Sequence, residues 1–380
     1  MFELGLDSVE QDIVDAARRI ATSVVDESAF EADRQQVIDD RCLQVVHEFG
    51  FTCPVPEELG GSGLPSVLQQ VLALEELGHG DPGIAGVLTL TAAAAAVITQ
   101  CGSPDQRNKW LAGIADRTRT VVPLALYESY GRNPDEFETV ISALGDGRWH
   151  VSGRKVGVPL GEDVPDHVLV VGRDHESNEL RSAFVPTSAN GVSLRHEVTP
   201  DAAQGFIALS QARFATLDVD TVIETRDLLG EGELDSRTLS VAVARTRLLP
   251  AAITLGGGSR AREYATAYAV EREAFNTVIY EFQGVSFPLV ENQIQLDAAR
   301  LTLWKAASGL DATGDESTAW VAPAVNECHT AATAATRDAV QTLGGHGFLA
   351  DHPLERWYRC AAMFSALDTD PVFTRFEIAV

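Results

Sequence analysis

The spacing of the apolar residues changes twice along the 380 residues of this chain. In the first third, as over 13–24, apolar side chains recur every three or four positions, which is the helical period. From Val121 short β-branched runs alternate with turns such as 145–147, which is typical of strands. After Gly232 the helical period returns and continues to the end. A chain ordered in this way is neither a single bundle nor a single sheet, and its length predicts two or three packed units.

This order predicts an α+β multidomain fold with three parts. The expected parts are an N-terminal α-helical domain over 1–120, a middle β-barrel or sandwich domain over 121–230, and a C-terminal helical domain over 231–380. Two serines mark helix starts, since Ser8 opens a capping box of the form S-x-x-Q and Ser103 precedes a proline. Within 286–310 one apolar stripe runs from Phe287 to Trp304 at helical spacing.

The charge of the chain argues against several classes of partner. Its 29 Lys and Arg residues and 55 Asp and Glu residues give a net charge of −26. Nucleic acids and anionic membranes would be repelled, so neither is expected as a partner. No apolar run is long enough to span a membrane and residues 1–7 carry no basic cluster, so we expect no membrane span and no secretion signal. Five scattered cysteines and the lack of an H-E-x-x-H motif predict a cytoplasmic protein with reduced thiols and no metal site.

A glycine pair near the C-terminus is the first candidate for a binding site. An alanine-rich helical run over 322–340 is followed by Gln341 and then by Gly344 and Gly345. Glycines free a helix end for a left-handed turn and let backbone amides approach a ligand closely. Such a turn beside a glutamine donor can hold a phosphate or an adenosine edge. On these residues alone, a simple helix C-cap fits equally well.

The longer motif resembles a known family. The string Q-x-x-G-G-x-G-F over 341–348, followed by P-L-E-R-x-Y-R over 353–359, resembles the C-terminal signature of the acyl-CoA dehydrogenases, flavoenzymes that oxidise acyl-CoA thioesters to enoyl-CoA. Residues 56–63 resemble the P-E-x-x-G-G-x-G segment of the same family. The resemblance extends over nearly the whole chain. It implies a C-terminal four-helix bundle, FAD as cofactor, an acyl-CoA substrate and an electron-transferring flavoprotein as electron acceptor.

One set of family residues is present in full. Residues 272–275 resemble the R-x-x-F element of the family, and 281–287 resemble the H-Q segment that follows it. In the family, these elements and the glycine pair reach across a dimer interface to the FAD that a neighbouring subunit holds. The resemblance therefore implies six cofactor-binding residues, which we call the half-site: Arg272, Phe275, Gln283, Gln341, Gly344 and Gly345.

The motifs that hold a subunit's own flavin depart from the family pattern. The family has T-E-P-x-A-G-S where this chain has 127–133, and only Glu128 and a glycine remain. The family has G-x-K-x-W-I-T-N where this chain has 153–160, and Gly157 and Pro159 replace the tryptophan and the threonine that pack against the flavin. Proline lacks an amide donor and glycine offers no ring. We therefore expect the fold to be kept and the flavin contacts to be missing.

The catalytic base of the family is also replaced. Most members use the glutamate of a Y-E-G-T motif, and the resemblance puts Asp368 at that position. Aspartate is shorter by roughly 1.5 Å, and a misplacement of about 1 Å can slow a reaction on the order of 100-fold. Other members place the glutamate where this chain has Thr246. The family-like Arg247 that follows is a candidate substrate-binding residue.

Three hypotheses remain for the function. The preserved half-site and the altered flavin and base positions resemble the non-catalytic subunits of α2β2 acyl-CoA dehydrogenases, in which two homologous chains share half the usual number of flavins. Such complexes degrade steroid side chains and other bulky CoA thioesters. The second hypothesis is a homotetrameric dehydrogenase that uses Asp368 or Asp370 as base. The third is an acyl-CoA-binding or scaffold protein with no redox role.

Overall fold

The computed structural model of the protein describes residues 5–114, 122–128, 132–160, 164–196, 208–209 and 211–368. The N-terminal helices are α1 (Ser8–Ile20), α2 (Asp26–Gln35), α3 (Asp40–Phe49), α4 (Val67–Gly80), α5 (Pro82–Cys101) and α6 (Pro104–Leu111). The first begins one residue earlier than the capping-box prediction, because Asp7 is the N-cap and Glu10 closes the box. The cap predicted at Ser103 is confirmed, with Pro104 in the first turn.

A single sheet forms the middle of the chain. Its strands are β1 (Leu124–Ala125), β2 (Val140–Gly145), β3 (Arg148–Leu160), β4 (His167–Arg173), β5 (Leu180–Pro186), β6 (Val192–His196) and β7 (Arg213–Glu224). The strand order is β1-β4-β2-β3-β7-β6, and β5, which lies off this path, also pairs with β4. The pairs β1–β4 and β2–β4 are parallel and the others are antiparallel. The turn predicted over 145–147 joins β2 to β3.

A helical bundle follows the sheet. Its elements are α7 (Ser236–Glu271), the hairpin strands β8 (Glu273–Ala274) and β9 (Thr277–Val278), α8 (Gln283–Thr313), α9 (Val321–Leu343) and α10 (Leu354–Leu367). The four helices confirm the predicted C-terminal bundle, and helices, sheet and bundle occur in the predicted order.

The central helix α7 packs closely against the N-terminal domain. A Cβ atom on Gly256 would lie 2.0 Å from the carbonyl oxygen of Glu75, and one on Gly78 would lie 2.3 Å from that of Ile253. The two glycines therefore allow the backbones of α4 and α7 to touch where the helices cross. Helices α5 and α7 are long and apolar enough to cross a membrane, but their apolar windows are 78% and 89% buried inside the protein, as in core helices.

Candidate functional site

Arg272 of the half-site lies at the C-terminal end of α7, where the chain turns into the β8–β9 hairpin. Its backbone is fixed on both sides, since its N–H donates to the carbonyl of Tyr268 (2.9 Å) and its carbonyl accepts from Ile279 N–H (2.8 Å). Its side chain is exposed and makes no ion pair with the described residues. A rigid backbone thus presents a guanidinium whose five donors are available to a ligand outside the chain.

Phe275 lies at the tip of the same hairpin. Ala274 pairs with Thr277, so Phe275 and Asn276 form a two-residue turn, with φ of 53° and 66°. Positive φ at both central positions is the pattern of a type I′ turn, which normally takes asparagine or glycine. An aromatic residue there costs about 1 kcal/mol or more. The ring is 90% exposed and, among the described aromatic rings, contacts only that of Phe282, at 6.2 Å between centroids and nearly perpendicular.

The glycine pair lies at the end of α9 on the surface. Gly344 has φ of 58°, which favours glycine, and its N–H donates to the carbonyl of Gln341. A Cβ atom on Gly345 would meet nothing within 4 Å, whereas one on Gly347 would lie 2.4 Å from the carbonyl oxygen of Val340. Packing inside the chain therefore requires a glycine at 347 and not at 345. An open glycine beside the exposed Gln341 fits the close approach of another molecule.

Two histidines follow the glycine pair, and each is fixed by a tyrosine of α7. The hydroxyl of Tyr268 lies 3.2 Å from Nδ1 of His346, and that of Tyr264 lies 2.8 Å from Nδ1 of His352. The two imidazole rings are 5.8 Å apart between centroids. The sequence analysis did not single out these histidines, because the tyrosines that fix them lie about 80 residues earlier in the chain.

The apolar stripe predicted on α8 faces outward. Phe287 and Ile294 are 56% and 63% exposed, and Leu301 continues the same side of the helix. The core of the bundle is formed instead by the opposite side, which includes Leu289, Leu296 and Leu303. The exposed side begins next to Gln283, the first residue of α8. An apolar helix face of this length, continuous with the half-site, is typical of a protein–protein interface.

Asp368 and Arg247 are brought together at the end of α10, although 121 positions separate them in the sequence. Nε of Arg247 lies 3.1 Å from each carboxylate oxygen and Nη2 lies 2.9 Å from Oδ1, while Nη2 also donates to Oδ1 of Asn133 (2.9 Å). Asp368 is only 3% exposed, so it is not a solvated terminal carboxylate. Burial lowers the pKa of Arg247, but the carboxylate outweighs this and the net shift is upward.

Two further ionisable side chains lie near this ion pair, and the sequence analysis missed both. Burial, followed by the charge of Asp368, raises the pKa of Tyr127 far above its usual value. His329 of α9 is fully buried with neither ring nitrogen hydrogen-bonded, and burial lowers its pKa to about 4. His329 lies within an alanine-rich helical run and belongs to no motif, so the sequence gave no signal for its role.

The other candidate base positions offer no carboxylate that the structure describes. Thr246 donates to the carbonyl of Ala242 (2.9 Å) inside its own helix. Asp370 lies outside the described residues.

Strand β3 carries the altered flavin motif, and α10 packs against it there. Its pairing with β7 is interrupted between Lys155 and Val158, and Gly157 in this bulge has φ of 60°. A Cβ atom on Gly157 would lie 2.5 Å from Cδ1 of Leu367, the residue before Asp368. The side chain of Leu367 is therefore packed onto the strand where the family motif has its tryptophan.

The two charged residues kept from the flavin motifs have a structural role. The ammonium group of Lys155 is fully buried and donates to Glu128 (2.9 Å) and to the carbonyl of Leu126 (3.0 Å). Burial lowers the pKa of Lys155 to about 8. Burial raises the pKa of Glu128, but the charge of Lys155 and the hydrogen bonds that Glu128 accepts together outweigh it, and the net shift is downward. Glu128 also accepts from the backbone N–H groups of Glu138 and Thr139. The pair thus joins three segments of the sheet, a structural role that does not depend on flavin contacts.

A cleft of about 920 Å³ lies between the sheet and the bundle, with Arg247 in its wall. Its charged lining residues are Arg173, Arg237, Arg247, Asp135, Glu136, Glu179 and Asp315. The guanidinium of Arg247 forms an ion pair with Asp368, and that of Arg173 donates to the carbonyl of Asn178 (2.9 Å). An anionic CoA would need a local excess of positive charge in this acidic protein, and the cleft does not provide one.

Comparisons with known proteins agree with this architecture. The sequence profile of the acyl-CoA dehydrogenase N-terminal domain matches residues 7–118, and that of the C-terminal domain matches 237–368. The chain belongs to the acyl-CoA dehydrogenase family. An acyl-CoA dehydrogenase of Mycobacterium tuberculosis is 30% identical over 82% of this chain and 78% of its own length. The mitochondrial short-chain specific acyl-CoA dehydrogenase of Sus scrofa is 28% identical over 92% of this chain and 84% of its own.

Solved structures of the acyl-CoA dehydrogenase fold superimpose on nearly the whole chain. Butyryl-CoA dehydrogenase from Megasphaera elsdenii has a TM-score of 0.75 at 23% identity, covering 98% of this chain and 97% of its own. A chain from a study of the electron transferring flavoprotein of Acidaminococcus fermentans has a TM-score of 0.77 at 27% identity and the same coverage. PigA with FAD and proline has a TM-score of 0.80 at 20% identity, covering 98% and 96%. The predicted family and fold are therefore confirmed, and FAD is the cofactor of this family.

Proposed function

We propose that this chain is the non-catalytic subunit of a heteromeric, FAD-dependent acyl-CoA dehydrogenase. It pairs with a homologous chain in an α2β2 complex and contributes the half-site to the FAD that its partner holds. When bound, FAD supplies the hydride acceptor for the oxidation of an acyl-CoA thioester to the enoyl-CoA. The electrons then pass to an electron-transferring flavoprotein, the partner that the solved relative from Acidaminococcus fermentans suggests.

The open state of the half-site is the observation that supports this proposal most strongly. Among the residues that the structure describes, none pairs with the charge of Arg272 and none occupies the space beside Gly345. Phe275 is held in a costly conformation and remains exposed. Each feature is unexplained by the isolated chain and fits a dinucleotide, with Arg272 on the diphosphate and Phe275 as an aromatic face.

The region of the chain's own flavin motif supports a non-catalytic role. Leu367 packs onto β3 at Gly157, so an apolar side chain stands where a flavin ring would need the strand. The oxygens of Asp368 accept three hydrogen bonds from the guanidinium of Arg247. A general base needs an oxygen that can reach the proton it removes, and this carboxylate is held away from a substrate by its partner. We therefore assign Asp368 a structural role and the base to the partner subunit.

Co-expression tests the proposal directly. The chain should be produced alone and together with a homologous chain encoded beside it, and the visible spectrum and mass of each product recorded. We expect a colourless or unstable single chain and a yellow mixed tetramer with about two flavins, as half the usual number of sites implies. A yellow homotetramer with one flavin per chain would refute the proposal and favour the homomeric enzyme with Asp368 as base. A colourless mixed complex would favour a scaffold without a redox role.

The apolar face of α8 gives a second test. Ile294→Asp places a charge in the centre of the proposed interface, where it would be buried without a partner. We expect this variant to stay folded, because Ile294 is 63% exposed, and to lose the mixed complex in gel filtration. Val37→Asp is the matched control, since Val37 is 61% exposed and lies in the N-terminal domain between α2 and α3. Equal assembly by the two variants would exclude this face as the interface.

A further inference from the structure

The imidazole of His346 is held in place from inside the protein and presented to the outside. The hydroxyl of Tyr268 lies 3.2 Å from Nδ1, and the ring is exposed with no other hydrogen bond to the described residues. His352 supports the ring from the side, at 5.8 Å between centroids, and is itself fixed by Tyr264. When the tyrosine hydroxyl donates to Nδ1, the proton of the neutral ring lies on Nε2. The ring then offers an N–H donor to a ligand even without a positive charge.

Tyr268 links this imidazole to the cationic residue of the half-site. Tyr264 and Tyr268 lie four residues apart on one side of α7, and Arg272, the C-cap of the helix, follows four residues later. The carbonyl of Tyr268 accepts the backbone N–H of Arg272, while its hydroxyl contacts His346. Tyr268 therefore fixes the backbone of Arg272 through its carbonyl and the imidazole of His346, next to the glycine pair, through its hydroxyl.

These groups together match the chemistry of a diphosphate. An exposed glycine backbone, a guanidinium and an N–H donor supply several directed hydrogen bonds to phosphate oxygens. Electrostatic attraction from the rest of the protein cannot help, because the net charge is −26. Binding of an anionic ligand at this surface must therefore rely on local hydrogen-bond donors. Each donor then contributes a larger share of the binding free energy.

We propose that His346 is a further ligand of the half-site, donating from Nε2 to the diphosphate of the FAD that the partner subunit holds. Tyr268 is the positioning residue that sets the ring orientation. This inference rests on the proposed function, because it needs an FAD molecule at the subunit interface. It adds a contact that the R-x-x-F and Q-x-x-G-G elements do not include.

The test measures FAD dissociation from the mixed complex for the wild type and for His346→Ala, His346→Gln and Arg272→Ala. A hydrogen bond to a charged group is worth about 1.5–3 kcal/mol, so His346→Ala should raise the dissociation constant roughly 10-fold or more. His346→Gln keeps an N–H donor and should lie between the alanine variant and the wild type. ADP, which carries the diphosphate without the flavin, should itself bind His346→Ala more weakly, so its inhibition constant should rise by a similar factor. His175→Ala, at an exposed histidine in the β4–β5 turn, is the control and should match the wild type.

The outcomes separate this inference from the proposed function. If Arg272→Ala loses FAD and His346→Ala does not, the half-site stands and His346 is not a ligand. If His346→Ala weakens FAD binding but leaves the inhibition constant of ADP unchanged, the ring does not contact the diphosphate and the inference is wrong. If the mixed complex binds FAD normally in both variants, the proposed half-site itself fails.

Discussion

The buried histidine of α9 should make this protein sensitive to mild acid. His329 is fully buried, neither ring nitrogen has a hydrogen-bond partner, and burial lowers its pKa to about 4 from the usual 6.5. Between these two values the unfolded chain binds a proton that the folded chain does not. Stability is therefore lost as the pH falls from 6.5 towards 4, and it is regained as the pH rises.

The size of this loss follows from the two pKa values. Proton linkage with pKa 6.5 in the unfolded chain and about 4 in the folded chain lowers the free energy of unfolding by roughly 1.8 kcal/mol between pH 7 and pH 5. His329→Leu removes this term, because leucine has a similar volume and no titratable group. At pH 7 the same change should be neutral or slightly stabilising, since it removes two unpartnered nitrogens from the core.

Urea unfolding at pH 7 and pH 5, followed by tryptophan fluorescence, measures the difference. The bundle contains Trp304 and Trp357, so unfolding of the region around His329 is reported directly. The wild type should lose roughly 1.8 kcal/mol more than His329→Leu over this pH range. His175→Leu, which changes an exposed histidine, should behave as the wild type. An equal pH dependence of the wild type and His329→Leu would refute the reasoning, because the ring would then be accessible to protons in the folded state.

Three other predictions concern the ion pairs Arg247–Asp368 and Lys155–Glu128 and the contact of Gly157 with Leu367. Each is checked by urea unfolding. Asp368→Ala should cost about 3–5 kcal/mol by leaving Arg247 charged and buried, and adding Arg247→Met should restore most of it. Lys155→Met should cost a similar amount, because its carboxylate partner stays buried; a change below about 1 kcal/mol would contradict this. Gly157→Ala should destabilise by about 1–3 kcal/mol, since the new methyl group meets Leu367 at 2.5 Å and φ is positive, and Leu367→Ala should relieve part of the cost.

The six half-site residues stay a prediction, because they were chosen by residue type and motif spacing. The structure places Arg272 at the end of α7, Phe275 at a turn tip and Gln341 in the last turn of α9. The contacts around Asp368 and Gly157 could not be predicted from residue type and motif spacing. The contacts of Asp368 with Arg247, and of Leu367 with Gly157, join residues far apart in sequence through the packing of α10 on the sheet.

Periodicity also left ambiguities that only packing resolves. The stripe on α8 has the spacing of a core-facing helix, yet its opposite side is equally apolar and is the one that is buried. A helix with two apolar sides gives no sequence signal for which of them faces the core. In the same way, nothing in the local sequence reveals that α10 ends inside the protein, where Asp368 is only 3% exposed.

The exposed rings and aliphatic side chains along α8 and the hairpin have a consequence for the life of the chain in the cell. A newly made copy displays Phe275, Phe287 and Ile294 to the solvent until a partner covers them. Such a surface favours self-association and recognition by chaperones and proteases. The survival of the chain then depends on the amount of partner present. A partner that binds only the folded chain stabilises that chain more strongly as the partner's concentration rises. Under the proposed function, balanced production of the two chains would be a condition for keeping either of them.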